Sequence, residues 1–379
     1  MSLLTDIKII SGAMHPKLTE RICRYLGVAP TEALRPCPAR VAFHADGDDE
    51  VRIDESLRGK HVCIVQPFAK PAGFWLNQLL VIIDAVKRAK AVRITVVIPY
   101  FGGSRQDRKK PREPITIKLY ATLLKAAGAT GVLLLDLHSL QSEQSFDNLD
   151  LDHVQAHPLF VADLHANGVD PKQVAIVGPD ANATLRFASP FLGWFPGSRL
   201  VSLVKVRLSD TEVETLFVLG RENIPGRWAR TVDDMITTAT TLRNVWNELS
   251  AADANGMEMI ATHALMVGRA YDVLLHPKIT RIVVTNSLPT SLHGVEGIRD
   301  KLHIVDVAPL LAEAMKRIHT HDSLSDDDGL LNPRYWIERV EHGLDLGVPL
   351  QENASASTDL WDAVAPILPR LALGEPKKK

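Results

Sequence analysis

Positive charge concentrates just after an apolar run at residues 93–98. A Gly-Gly turn at 102–103 comes first. Four cations then fall within six residues: Arg105, Arg108, Lys109 and Lys110. Guanidinium groups bind phosphate oxygens through paired hydrogen bonds, so this turn would suit a polyphosphate. A solvated basic loop has the same composition, and composition alone favours that simpler interpretation.

Single polar side chains follow two other apolar runs. His138 comes after the run 131–135, and Asp180 comes after the run 174–177. A histidine at such a position binds a metal or a phosphate in some proteins, but it more often serves as a structural hydrogen-bonding residue. A carboxylate that opens a helix is either a metal ligand or an N-cap, and capping is the simpler interpretation.

Two cations, Lys205 and Arg207, are separated by one residue in a β-rich run. The alternation of a strand places both side chains on one face. Together they could neutralise charge on a phosphoryl group during its transfer. A charged solvent face is the alternative, and for this pair alone it is the simpler one.

The segment 231–241 is the most informative. Asp233 and Asp234 end an apolar run, and a hydroxyl-rich loop leads from them into a helical pattern. The acids could hold ribose hydroxyls, and backbone N–H groups at the helix N-terminus could hold a phosphate. The loop residues are Thr237, Thr238, Ala239, Thr240 and Thr241. An ordinary strand–helix turn capped by threonine explains the segment equally well.

Alternating β and α patterns must position these residues. Strands are predicted at 62–66, 93–99, 131–136, 174–177, 281–285 and 302–305, and a hairpin at 200–207 and 212–219. Helices are predicted at 76–90, 115–127, from 183, after 234, and at 306–319 with Asp306 as N-cap. This alternation indicates an α/β protein with mainly parallel sheets flanked by helices. Ligands of such sheets bind at the carboxyl ends of the strands, where the residues above lie.

Composition excludes several classes of protein. The chain has 379 residues, 46% hydrophobic and 23% charged, with a net charge of -2. That charge gives no sign of a nucleic-acid or membrane partner. Three cysteines, Cys23, Cys37 and Cys63, are too few and too irregular for a disulfide framework. No signal-peptide pattern and no membrane-spanning run are evident, so a cytoplasmic protein is expected.

Taken in order, these segments resemble the ribose-phosphate diphosphokinase (PRPP synthase) family. Residues 98–108 are similar to the family's I-P-Y-F-x-Y-x-R-Q-D-R, and residues 136–138 match its D-L-H. Pro179-Asp180 matches S-P-D, and Lys205-Val-Arg207 matches the K-R-R of a catalytic loop. Residues 232–236 match the start of V-D-D-M-I-D-T-G-G-T. The resemblance runs from about residue 8 to about residue 325.

The resemblance implies transfer of the diphosphate of Mg-ATP to ribose 5-phosphate, which gives PRPP and AMP. It implies two phosphoribosyltransferase-like domains, a Mg²⁺ cofactor, and a homo-oligomer that is a dimer or a hexamer. The corresponding domains are 1–155 on the ATP-binding side, 156–303 with the ribose-phosphate loop, a returning helix at 304–328, and an extension at 329–379 with one or two short amphipathic helices.

The resemblance also assigns roles to residues. The catalytic residues are Lys205, Arg207 and His138. The ATP-binding residues are Arg105, Gln106, Arg108, His44, Asp46 and Asp48, the last two approaching adenine from a neighbouring subunit. The ribose-phosphate-binding residues are Asp233, Asp234, Thr237, Thr238, Ala239, Thr240 and Thr241. His138 and Asp180 are assigned to binding the metal–ATP complex.

This sequence departs from the family pattern at two of these sites. The loop reads Thr237-Thr-Ala-Thr-Thr241 where the family has D-T-G-G-T, so an acid and two glycines are replaced. His44 stands where an adenine-stacking aromatic is expected, with Phe43 one place away. Two hypotheses follow: an active PRPP synthase with altered ligand preferences, or a non-catalytic paralogue that regulates an active partner. A phosphoribosyltransferase that consumes PRPP is disfavoured because it needs no R-Q-D-R block.

Overall fold

The computed structural model describes residues 6–27, 36–206, 215–268, 270–290, 295, 297–325 and 329–353. Its first half contains β1 (Ile7–Ser11), α1 (Pro16–Leu26), β2 (Ala39–Phe43), β3 (Asp49–Ile53), β4 (His61–Val65), α2 (Ala72–Arg88), β5 (Arg93–Ile98), α3 (Thr116–Ala127), β6 (Gly131–Leu135), β7 (Asp150–Val154) and α4 (His157–Ala166). Five of these strands form a parallel sheet in the order β1-β4-β5-β6-β7. All residues of β4 and β6 are buried, as expected for a parallel sheet covered on both faces.

The second half contains β8 (Val174–Gly178), α5 (Ala181–Ala183), α6 (Ser189–Trp194), β9 (Arg199–Val206), β10 (Thr215–Leu219), β11 (Trp228–Ile236), α7 (Thr240–Ser250), β12 (Gly256–Ala264), α8 (Ala270–Leu274), β13 (Ile279–Thr285), β14 (Leu302–Val305), α9 (Ala308–Thr320), α10 (Pro333–Glu341) and α11 (Leu350–Asn353). Seven strands form one sheet in the order β10-β9-β8-β11-β12-β13-β14. Only β10 is antiparallel, paired with β9, which confirms the predicted hairpin between these strands.

The predicted fold class is confirmed: two mainly parallel sheets are flanked by helices. Each predicted strand overlaps an observed one, with bounds within two residues where the structure describes them; 212–214 lie outside the described residues. Strands β1, β2, β3, β7 and β12 had not been predicted. The prediction for the helix at 306–319 was two residues early, because α9 begins at Ala308 after the N-cap Val307. Asp306 still acts as a cap, since its Oδ1 accepts a hydrogen bond from the Ala308 amide at 3.0 Å.

The chain after α9 forms two short helices, as predicted for the described part of the extension. Helix α10 packs against α4 and buries Trp336, whose Nε1 donates to the Leu330 carbonyl at 2.7 Å. The next segment runs antiparallel to the edge strand β14, with hydrogen bonds from the Asp306 amide to Leu346 O and from the Val348 amide to Ile304 O. The tail therefore extends the second sheet before it enters α11.

Within the described ranges no helix is long and apolar enough to cross a membrane. Cys23, Cys37 and Cys63 are free thiols and buried.

Candidate active site

The two sheets meet at a histidine and a carboxylate. His138 follows β6 of the first sheet, and Asp234 lies near the end of β11 in the second. The Nδ1 of His138 lies 2.6 Å from Oδ2 of Asp234. Asp234 is almost fully buried, whereas the His138 side chain is 35% exposed. Because Nδ1 donates to the carboxylate, Nε2 is the ring nitrogen left for a ligand.

The side chains of Asp136 and Arg186 hold the loop that carries His138. Asp136 has the left-handed φ of 40°, and its Oδ2 accepts hydrogen bonds from the Ala156 amide and the Thr262 hydroxyl. Arg186, from the second half, donates to the carbonyls of Leu137 and His138. Asp136 is small and polar, the residue type that tolerates such a backbone conformation. These contacts fix the direction in which the loop presents His138.

His263 holds the same loop from the end of β12. It is fully buried, its Nε2 lies 3.1 Å from the Asp136 carbonyl, and its Nδ1 lies 3.0 Å from the Ser287 hydroxyl. Burial lowers the pKa of His263, so its ring is neutral at neutral pH. A neutral ring with Nε2–H donating to the carbonyl accepts the Ser287 hydroxyl at Nδ1. Arg186 and His263 were not predicted from the sequence, although His263 ends an apolar run as the other site residues do.

The adjacent acids Asp233 and Asp234 have pKa values that move in opposite directions. Burial, followed by the charge of Asp234, raises the pKa of Asp233 well above its ordinary range. Burial also opposes ionisation of Asp234, but the hydrogen bond and charge of His138 outweigh it and lower the pKa of Asp234. Two neighbouring carboxyls in one buried site cannot both ionise easily. The site therefore favours one ionised acid, Asp234, beside one acid that resists losing its proton.

The basic turn after β5 is shaped by its glycines. A Cβ on Gly102 would lie 2.4 Å from the Phe68 carbonyl, and Gly103 has a left-handed φ of 85°. Farther along the turn, the Asp107 carboxylate accepts a hydrogen bond from Ser139, the residue after His138. The turn is thus tied to the histidine loop.

Arg105 reaches across to the second sheet. Its Nη2 lies 3.2 Å from the Thr237 hydroxyl and 3.1 Å from the Met235 sulfur. The side chains of Arg105, Gln106 and Arg108 are exposed, and Gln106 accepts a hydrogen bond from Thr116 at the start of α3. The predicted ATP-phosphate and ribose-phosphate segments therefore lie next to each other, and Arg105 joins them.

The loop between β11 and α7 carries an unusual backbone conformation. Ala239, the residue before α7, has φ 56° and ψ 8°, in the left-handed region, and is buried. The resemblance places a glycine of D-T-G-G-T here, and glycine adopts this conformation without steric cost. Thr240 and Thr241 begin α7, so backbone N–H groups of a helix N-terminus do lie at this loop, as predicted.

Asp180 takes the simpler of its two predicted roles. Its Oδ1 accepts a hydrogen bond from the Ala183 amide at 2.8 Å and caps α5. Its charge also contributes to raising the pKa of Asp233, so the two carboxyls are close enough to interact. A second role toward a metal–nucleotide complex is compatible with the cap, because the cap engages only one oxygen.

Other predicted site residues lie apart from this cluster. His44, Asp46 and Asp48 are exposed in the turn between β2 and β3. Phe43 is not available to a ligand on its packed face, because its ring stacks on Phe74 with centroids 5.1 Å apart. Lys205 lies in β9, but its side chain and all of Arg207 are outside the described residues.

The residues present fit a magnesium ion that arrives with a phosphate substrate. Among the described residues there is no group of three or more His, Cys, Asp and Glu side chains placed to hold a metal. Magnesium bound to a nucleotide needs only one or two protein carboxylates, because water and phosphate supply the other ligands. Asp180 offers such an oxygen, because its N-cap hydrogen bond engages only Oδ1. His138 fits better as a hydrogen-bond partner of phosphate, since imidazole is a poor ligand for Mg²⁺.

Fold and site together define a class: a transferase built from two phosphoribosyltransferase-like α/β units, with the candidate site where they meet. Residues 7–128 match the family model of the N-terminal domain of ribose phosphate pyrophosphokinase. Residues 209–327 match the phosphoribosyl synthetase-associated domain. A solved phosphoribosylpyrophosphate synthetase from Mycobacterium smegmatis superposes with a TM-score of 0.74 at 29% identity, over 84% of this chain and 100% of its own.

Similar sequences of known proteins indicate the same family. A ribose-phosphate pyrophosphokinase of Gloeobacter violaceus is 38% identical over 320 residues, which is 84% of this chain and 92% of the relative. One from Aquifex aeolicus is 36% identical over 323 residues, which is 85% of this chain and 99% of the relative. The chain belongs to the ribose-phosphate pyrophosphokinase (PRPP synthase) family.

Proposed function

We propose that this protein is a ribose-phosphate pyrophosphokinase that transfers the β,γ-diphosphoryl group of Mg-ATP to the anomeric hydroxyl of ribose 5-phosphate. The anomeric oxygen forms a bond to the β-phosphorus, the bond from that phosphorus to the AMP oxygen breaks, and the hydroxyl proton passes to solvent. The products are PRPP and AMP. The observation that carries the proposal is the contact of Arg105 with Thr237, beside the His138–Asp234 pair.

The acceptor sugar is assigned to the end of β11. Asp234 is the acid that stays ionised, and a carboxylate accepts hydrogen bonds from ribose hydroxyls. Asp233 lies beside it, with Oδ1 accepting the Asp234 amide at 2.9 Å. The phosphate of the sugar is assigned to the start of α7, where backbone N–H groups favour an anion.

The donor nucleotide is assigned to the basic turn. Arg105 and Arg108 are exposed at the edge of the first sheet and would hold the triphosphate, with magnesium neutralising its charge. The Nε2 edge of His138 would face the phosphate group next to the sugar. Lys205 and Arg207 would stabilise the charge that develops between the β-phosphorus and the leaving oxygen. Each of these roles is a prediction carried by the family motifs.

We also assign the exposed turn with His44, Asp46 and Asp48 to a neighbouring subunit's nucleotide. This turn lies apart from Arg105, and full exposure suits a surface that completes a site on a second copy of the chain. A dimer or hexamer is the assembly predicted from the resemblance. Sedimentation equilibrium would test it, and a monomer with full activity would contradict it.

A second function, a non-catalytic subunit that regulates an active partner, is favoured by one observation. Ala239 occupies a left-handed position where the family has glycine, which restricts the backbone that must hold the sugar phosphate. One experiment distinguishes the enzyme from the regulatory subunit. The pure protein is incubated with Mg-ATP, with and without ribose 5-phosphate, and AMP is measured by chromatography.

AMP formation that depends on ribose 5-phosphate supports the enzyme. Nucleotide binding without any AMP formation supports the regulatory subunit. A matched reaction with Arg105→Ala serves as control, because loss of the cation at the nucleotide should reduce the signal in either case.

A further inference from the structure

The described part of the tail, 329–353, lies beyond both family models, the second of which ends at residue 327. The tail is nevertheless built into the fold. Its segment 346–348 pairs with β14, and α11 then turns back toward the carboxyl end of the second sheet.

The tail ends in a buried anchor, Asn353. This side chain is 1% exposed. Its Nδ2 donates to the Leu288 carbonyl at 3.2 Å and to the Thr290 hydroxyl at 2.6 Å, and its own carbonyl accepts the Thr290 amide at 3.3 Å. Three hydrogen bonds therefore join one tail residue to the loop that follows β13. Both side-chain bonds come from Nδ2, and replacing a buried polar group leaves its former partners unpaired, which is costly.

The loop after β13 supports the candidate active site. Ser287, the residue before Leu288, is fully buried, and its hydroxyl contacts Nδ1 of His263 at 3.0 Å. His263 contacts the Asp136 carbonyl through Nε2, and Asp136 lies two residues before His138. Hydrogen bonds and short stretches of backbone therefore connect Asn353, through Leu288, Ser287 and His263, to the segment that presents His138.

A second set of bonds fixes the other end of the same loop. Arg21 on α1 donates twice to Oδ2 of Asp306, at 2.9 and 2.7 Å, and once to Glu352 of the tail at 3.0 Å. Asp306 Oδ1 in turn accepts a hydrogen bond from the Asn286 side chain at 2.7 Å. The tail, α1 and the loop therefore form one connected polar network.

We propose that Asn353 is a positioning residue, through which the tail sets the loop 287–290 and, by way of His263, the segment 136–138 that carries His138. Asn353 touches no substrate. Its effect is on the geometry of the diphosphoryl transfer rather than on nucleotide binding, because Arg105 contacts Met235 and Thr237 and is not a member of this series. The inference rests on the proposed function, since it names a residue that supports that same site.

The test compares Asn353→Ala with Gln351→Ala, an exposed neighbour in α11 whose side chain makes no contact with the loop. Misplacement of a reacting group by about 1 Å lowers the rate by up to about 10²-fold. Asn353→Ala should therefore lower kcat by about 10-fold or more, leave the KM for ATP within about 2-fold, and Gln351→Ala should change neither. Equal kcat values for both variants and wild type would overturn the proposal.

An activity-independent measurement accompanies the kinetics. Amide hydrogen exchange followed by mass spectrometry should show faster exchange in Asn353→Ala at 286–290 and also at 136–139, with strand β5 unchanged. Faster exchange at 286–290 alone would mean that the coupling stops at the loop, and the proposal fails. This outcome does not depend on whether the protein makes PRPP, so failure of the inference is distinguishable from failure of the proposed function.

A second variant, made outside the tail, tests the same interaction in case Asn353→Ala prevents the tail from folding. Thr290→Val keeps the shape of Thr290 and removes the hydroxyl that Asn353 contacts. It should lower kcat in the same direction, and combining it with Asn353→Ala should cost less than the sum of the two single losses, because both remove one interaction. Full additivity would show that Asn353 acts on kcat by another route and would contradict the proposal.

Discussion

The imidazole Nδ1 of His138 lies 2.6 Å from the Asp234 carboxylate, and this pair joins the ends of two strands from different sheets. A side chain from each α/β unit thus contributes to one polar cluster. The cluster exists only when the two units are packed as they are here, which makes it a sensitive point for both stability and activity.

The coupling between His138 and Asp234 is measurable with a double-mutant cycle on kcat. Removing either partner leaves the other with a broken hydrogen bond, so the double variant His138→Ala/Asp234→Ala should lose much less than the product of the two single losses. The exposed pair His165 and Glu341, 3.2 Å apart, is the matched control and should show effects near zero. If the loss of kcat in the double variant equals the product of the two single losses, His138 and Asp234 act independently, and the proposed coupling is contradicted.

The backbone of Ala239 gives a prediction about stability. A left-handed non-glycine residue costs about 1–2 kcal/mol, so Ala239→Gly should raise the free energy of unfolding by up to about 1 kcal/mol after the added chain entropy of glycine is subtracted. Ala251→Gly is the control: its φ is -67°, and there the same change should only destabilise. Urea denaturation measures both variants. Equal destabilisation of the two would show that residue 239 is not strained.

The same loop governs the sugar phosphate. Restoring the family pattern with Thr237→Asp, Ala239→Gly and Thr240→Gly should lower the KM for ribose 5-phosphate, because glycine frees the backbone N–H groups to follow the anion. Residue 237 also contacts Arg105, so an aspartate there gains an ion pair. A wild-type KM between about 1 μM and 1 mM that the triple change leaves alone would show that the existing loop is already competent.

The pH dependence of stability should reveal Asp233. The pKa of Asp233 is raised in the folded protein. Below the pKa of the unfolded chain the carboxyl is protonated in both states and does not affect the free energy of unfolding. As the pH rises from that value through the folded pKa, ionisation of the buried carboxyl lowers the free energy of unfolding. Asp233→Asn should therefore raise Tm by about 2 °C or more at pH 7–8 and leave it unchanged near pH 3.5. Glu222→Gln, an exposed acid, is the control. A uniform shift at every pH would contradict burial of the Asp233 charge.

The paired cations of the hairpin carry a kinetic prediction. Because charge develops on the diphosphoryl group only during transfer, Lys205→Ala or Arg207→Ala should lower kcat by about 10²-fold with little change in ATP affinity. Steady-state kinetics with isothermal titration of ADP separates these effects. A large rise in the KM for ATP with an intact kcat would assign these residues to ground-state binding instead.

Local sequence patterns predicted much of this fold and site. Strands such as Gly131–Leu135 are continuous apolar runs followed directly by a polar residue, so both the strand and the edge that binds ligands are visible in one segment. Family motifs then selected His138, Asp233 and Asp234 from many polar residues. These predictions depend on neighbours in sequence, which a single chain displays directly.

Contacts between distant segments were not predictable in this way. Arg186 lies 48 residues from His138 and donates to its carbonyl, and His263 reaches Asp136 across 127 residues. No spacing rule links such positions, because only the packing of the two sheets brings them together. The role of Asn353 was missed for the same reason: it lies in a tail whose pattern predicted only short helices.

The most direct test of the central claim is ³¹P NMR of a reaction containing wild-type protein, Mg-ATP and ribose 5-phosphate. Cleavage at the β-phosphorus gives AMP and PRPP in equal amounts, with no ADP formed at the same rate. The account predicts this pattern, its dependence on the sugar phosphate, and its loss in His138→Ala and Asp234→Ala. Formation of ADP and a sugar bisphosphate, or no reaction in the presence of measurable Mg-ATP binding, would contradict it.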